Sequence, residues 1–200
     1  MRYFLLLLGL VTIYSCQENE QKTKDAVVHE SKLSPEFNRY VNSFMDEYYA
    51  ISESFVQWDS ANVDAAIERF EGSVLGYTPE FDSMFKDNEA KRVYVSQVFK
   101  QFTDSVANLK NVAGLQGKRE SFSRISKSLF EFLDNVEYDY QVLYLQECPM
   151  AFYDTVSGYW LTNKGADSIR NPFLGLYHPR YSNSMIDCGG NFAILDHQKK

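Results

Sequence analysis

The sequence predicts a mainly α protein: an up-and-down four-helix bundle followed by a small β/turn-rich C-terminal segment packed on it. Three observations carry that expectation. Apolar residues recur at spacings of three and four through residues 34–137. Short connections with helix-stop and helix-start residues separate these runs. From residue 138 the texture changes to β-formers, and then to a stretch dense in Gly and Pro. A length of 200 residues suits one domain with an appendage, and 15 Phe with 14 Tyr supply enough apolar surface for a sizeable core.

The first helix opens on Ser34-Pro35-Glu36, a hydroxyl N-cap, a proline at the first helical position and an acid in the first turn. Phe37, Tyr40, Val41, Phe44, Met45, Tyr48, Ile51 and Phe55 form its apolar stripe. Asp59 or Ser60 caps a second, shorter helix with Val63, Ala66, Ile67, Phe70 and Val74 facing inward, its end weakened by Gly72 and Gly76. Thr78-Pro79-Glu80 repeats the start signal. A long helix from about Glu89 carries Val95, Val98, Phe99, Phe102, Val106, Leu109 and Val112 and stops at Gly114. After Gly117 a fourth helix buries Phe122, Ile125, Leu129, Phe132, Leu133 and Val136. The polar faces are not enriched in Lys and Arg, so the stripes read as core and not as membrane-surface helices. Tyr138 to Leu145 reads as a strand, and the remainder as turns and short strands.

Residues 1–15 read as a lipoprotein signal peptide. One Arg follows Met1, and the apolar run from Tyr3 to Ile13 would span roughly 16 Å as a helix, too short to cross a bilayer. Ile13-Tyr14-Ser15-Cys16 resembles a bacterial lipobox, which implies cleavage before Cys16, lipidation of its thiol and anchoring to the lipid bilayer. Gln17 follows in place of Asp, which favours an outer-membrane lipoprotein facing the periplasm or the cell surface. Residues 16–33 then form the lipidated Cys and a flexible tether, 34–137 the helical bundle, and 138–200 the β/turn-rich segment.

With Cys16 set aside, two Cys remain, each close to a Met: Cys148-Pro149-Met150 and Met185-Ile186-Asp187-Cys188. Thiolates and thioethers are soft donors suited to Cu(I) or a similar ion, and His178, lying between the two halves, is an optional further ligand. Zinc is less well served, because it seldom uses Met. His197 is a less favourably placed alternative. Spacing leaves three readings open: a metal site, a Cys148–Cys188 disulfide natural to an oxidising compartment, and unpaired structural thiols.

The set Cys148-Pro149-Met150-Ala151, Gly158-Tyr159-Trp160-Leu161, Ile169-Arg170-Asn171-Pro172-Phe173-Leu174-Gly175 and Met185-Ile186-Asp187-Cys188-Gly189 resembles a bacterial domain of unknown function, number 3347. The likeness extends over nearly all of Ser34 to Gly190, with Asp59 to Phe70 and Glu120 to Leu133 matching its helices. That family occurs in lipoproteins and attached to CusB-type heavy-metal efflux adaptors. The resemblance implies metal handling, with Cys148, Met150, Met185 and Cys188 as binding residues. A metal-efflux adaptor or metallochaperone is the implied partner, and buffering or delivery of Cu(I) to efflux the implied role. This chain departs from the pattern in the nine residues from Leu176 to Ser184, which bring in His178.

Other classes are disfavoured. With 27 acidic against 20 basic residues the formal net charge is −7, unsuited to gripping nucleic-acid phosphates. The sequence has no G-x-S-x-G, H-E-x-x-H, phosphate-binding Gly loop or C-x-x-C-H haem signature, so no enzyme is expected. Tyr159, Trp160 and the Asn171-Pro172-Phe173 turn read as packing of the tail and not as a recognition pocket.

Overall fold

A computed structural model describes residues 29–165 and 168–199. The proposed signal peptide, Cys16 with its expected acylation, and most of the expected tether lie outside those residues. Five helices come first: α1 (Pro35–Val56), α2 (Ser60–Leu75), the single turn α3 (Phe81–Met84), α4 (Glu89–Leu109) and α5 (Gly114–Asn135). Three strands follow, β1 (Leu143–Phe152), β2 (Val156–Thr162) and β3 (Gly190–Leu195), forming an antiparallel sheet of order β2-β1-β3. Among the described residues no helix is long and apolar enough to cross a membrane.

The helices begin where side-chain oxygens can satisfy their first N–H groups. Ser34 Oγ accepts from the Phe37 amide, an Asp59 carboxylate oxygen from Asn62, and Asn88 from Lys91. The start signal at Thr78-Pro79-Glu80 yields only α3, whose Phe81 packs edge-on against Phe99 and Phe132. An aromatic core runs through the helices, with Phe44, Phe70, Phe102 and Phe132 all fully buried.

The expected four-helix bundle is not what forms. The chain folds as a mixed α/β domain, mainly helical, in which the sheet is a structural layer. Helix α1 packs on α2, α2 on α4 and α4 on α5, but α5 turns its other side to β2. Where a closed bundle would seat α1 directly on α5, the two meet through long side chains, with Tyr48 stacked on Phe122 at 4.7 Å. Strand β2 lies along that seam. Its outward N–H groups are taken by helix hydroxyls: Tyr159 N–H donates to Ser123 Oγ at 2.9 Å, and Leu161 N–H to Tyr48 Oη at 2.8 Å. Tyr48 O–H in turn donates to Ser126 Oγ, whose own proton goes to the Phe122 carbonyl. Burial holds the Tyr48 phenol well above its ordinary pKa, so it stays a neutral donor. An edge that would otherwise invite further strands is thereby closed by the helices. Phe152, Trp160, Leu161, Phe173 and Leu174 share one core with the helices, so the tail is no appendage.

Element boundaries also moved. Helix α5 starts at Gly114, ahead of the expected Gly117. The strand expected over Tyr138–Leu145 begins only at Leu143 and runs on through Cys148-Pro149-Met150. Glu137, at φ 55°, ends α5 in a left-handed turn in which Tyr138 N–H reaches back to the Leu133 carbonyl. That closure holds Tyr138 and Asp139 buried before pairing begins.

Candidate functional site

Cys148 lies on the central strand β1 opposite Gly158 of β2 and is fully buried. Cys188 closes a turn in which its N–H donates to the Met185 carbonyl at 3.1 Å. The two cysteines are joined by a disulfide, with Cα atoms 5.7 Å apart and 40 positions of sequence between them. In this oxidised form neither sulfur is a thiolate, so neither is a soft-metal ligand.

Asn171 holds the staple in place. Its side-chain carbonyl accepts from the amides of Phe173 and Leu174 at 2.7 and 3.0 Å, fixing the Asn-Pro-Phe turn. Its side-chain NH2 donates to the Cys188 carbonyl at 2.8 Å, and its backbone N–H to Ile186. The turn lays Phe173 against Trp160 and Phe152. Gly158 is required here, because a β-carbon would strike both the Phe173 ring and Ala151. Gly175 is required likewise, since a β-carbon there would strike the Val56 backbone at the end of α1.

The other proposed ligands are placed differently. Met150 is partly solvent-exposed on β1, and Met185 is half-buried against the core. His178 meets the Trp58 ring edge-on at 5.1 Å and stacks on Tyr181. Its Nδ1 accepts from the amides of Arg180 and Tyr181, both at 3.2 Å, leaving the ring proton on Nε2. Burial, then the nearby Arg119 cation, lowers the His178 pKa and keeps the ring neutral. His197 Nε2 is 2.8 Å from Asp134 at the end of α5. Among the described residues no group of three or more His, Cys, Asp and Glu side chains is gathered to hold a metal ion.

The structure adds a residue that the motifs did not indicate. Arg119 is 1 % exposed, one of the largest fully buried side chains. Its Nη2 donates to the Phe55 carbonyl at 3.1 Å and its Nε to the Pro172 carbonyl at 3.3 Å, so it ties the end of α1 to the tail. The Leu176 N–H adds a bond to the Val56 carbonyl. A cation on the last carbonyls of a helix is favourably placed. The signal was present in the sequence: Arg119 stands four residues after Leu115 and three before Phe122, on the apolar stripe of α5.

Comparison with protein-family models, with curated proteins and with solved structures gives no match.

Proposed function

We propose that this chain is a lipid-anchored envelope protein that works as a rigid interaction module, its tail fixed covalently by the Cys148–Cys188 bond. The observation that carries the reading is the fully buried Cys148 joined to Cys188. Such a bond belongs to a compartment that keeps thiols oxidised, in keeping with the lipobox-like Ile13-Tyr14-Ser15-Cys16. Edge strand β3 supports a protein partner, since it turns Phe192 and Ile194 to solvent, both 57 % exposed. Protein purified from the envelope under argon is expected to show no titratable thiol and a mass lower by two hydrogens than the reduced chain. It is also expected to take up no stoichiometric Cu(I). Two free thiols in that preparation would overturn the reading.

A second reading is favoured by the closeness of the two cysteines and the Met beside each. Reduction would free two thiolates near Met150 and Met185, a soft donor set for one Cu(I) destined for an efflux adaptor or metallochaperone. The reduced protein would then bind one Cu(I) in a competition titration, and Cys188→Ser would abolish it.

A further inference from the structure

The junction of α1, α5 and the loop from Leu176 to Ser184 contains a cation without a counter-charge. Arg119 spends Nε and Nη2 on carbonyls, while Nη1 is fully covered and has no hydrogen-bond partner. Among the described residues no carboxylate forms an ion pair with it. Burial alone lowers its pKa to about 9, so it remains charged at neutral pH. Removing a guanidinium from water costs several kcal/mol unless an opposite charge or a full set of acceptors replaces the solvent.

Trp58 shares this junction. Its ring lies 3.6 Å from the Arg119 Cζ, stacked on the guanidinium, and its indole N–H is likewise covered and partnerless. The backbone of Trp58 is itself unusual. The amides of Trp58 and Asp59 bond back to the Phe55 and Ser54 carbonyls, and Trp58 has φ 54°. That is the position where helices ordinarily place Gly, and a bulky residue there is strained. The strain is held in a residue whose indole stacks on the buried cation. His178, with its proton on Nε2, meets the same indole in a T-shaped contact at 5.1 Å.

We infer that Arg119 Nη1 and Trp58 Nε1 together form a binding site for one small monovalent anion. Two unmet donors on stacked groups, one of them cationic, call for an acceptor-only partner carrying a single negative charge, such as a carboxylate or a halide. Both donor atoms are shut off from solvent, so the ligand has to be a small ion and not a large metabolite. This site is separate from the cysteine staple and stands or falls independently of it.

The chain has two Trp, so its indole N–H signals in a nitrogen–proton NMR spectrum number two, and Trp58→Phe assigns them. The folded protein is titrated with sodium chloride and, separately, sodium acetate, at an ionic strength held constant with sodium sulfate. The expected result is a saturable shift of the Trp58 signal with at least one salt, while the Trp160 signal stays in place. Thermal stability should rise over the same concentrations. Arg119→Lys should weaken half-saturation by about tenfold or more, the scale of losing a charge-assisted bond. Trp58→Phe, which keeps a ring over the guanidinium but removes the donor, should lose the anion-dependent rise in Tm. It decides the matter if Arg119→Lys does not fold. Linear or absent shifts with both salts would overturn the inference, as would a rise in Tm that Trp58→Phe keeps in full.

Discussion

Helices α1, α2 and α4 are each started by a residue three positions away: Ser34 to Phe37, Asp59 to Asn62 and Asn88 to Lys91. The tail beyond β1 is held by groups far off in sequence. Leu161 bonds Tyr48, 113 positions earlier, and Arg170 pairs with Glu53, 117 positions earlier. Asn171 and the disulfide draw residues 186–188 back across the sheet. The helical region thus carries its instructions locally, while the tail takes shape only against a finished scaffold. Long-range closure of this kind costs chain entropy, which explains a covalent staple in the tail and none in the helices.

The largest blow to that contrast would come from the shared core. Phe132 is fully buried and touches Phe37, Phe81, Phe99 and Phe102. Phe132→Ala is expected to cost about 3–5 kcal/mol in urea unfolding. Because tail and helices share one core, helical circular dichroism and Trp160 fluorescence should lose stability together. If the Trp160 transition stayed put while the helices weakened, the two regions would be separate folding units and the comparison would need redrawing.

Removing the staple tests the opposite side. Cys148→Ala with Cys188→Ala opens a loop of 40 positions, worth about 4 kcal/mol by the chain-entropy estimate. Amide hydrogen exchange should accelerate over residues 171–188 and in β2 and β3, with α4 changed least. Equal acceleration in α4 would show that the tail fixes the helices as much as they fix the tail.

This division also governs what could be read without coordinates. The apolar stripes of α1, α2, α4 and α5, and the caps at Ser34 and Asp59, are local patterns and were legible. The closure of the bundle was not. Nothing near Tyr48 in sequence announces that its hydroxyl will meet a strand amide at Leu161, and this contact sets β2 along the α1–α5 seam. Tyr138 and Tyr140 are good β-formers and predict a strand start at Tyr138, whereas β1 begins at Leu143. The left-handed turn at Glu137 and burial of Tyr138 outweigh that propensity. A proline argues against a central strand, yet β1 runs on through Pro149. The proline falls where the pairing with β2 is interrupted between Cys148 and Phe152. Of the candidate site, the Cys148–Cys188 disulfide was legible as one of three alternatives. The Arg119–Trp58 pair was not, because it depends on how the end of α1 meets α5.

The smallest expected effect concerns an exception to the local rule at the entrance to the helices. Asp139, which follows α5, accepts from the Lys32 amide at 2.9 Å and from the Ser31 hydroxyl, and His29 Nε2 stands 3.2 Å away. Burial by itself raises the Asp139 pKa, but these donors outweigh it, and the carboxyl sits below its ordinary value. A carboxyl whose pKa is lowered by folding stabilises the native state above the unfolded value, near pH 4. That contribution is lost as pH falls through the lower folded value. Asp139→Asn should therefore cost about 1 kcal/mol at neutral pH, on the scale of one hydrogen bond, and less as the pH drops below 4. Melting curves of the two proteins between pH 7 and pH 3 would converge at the acid end. A gap that stayed constant with pH would mean that the Asp139 carboxylate charge contributes nothing. The joint would then rest on hydrogen-bond shape alone, as the neutral Asn171 side chain does in the tail.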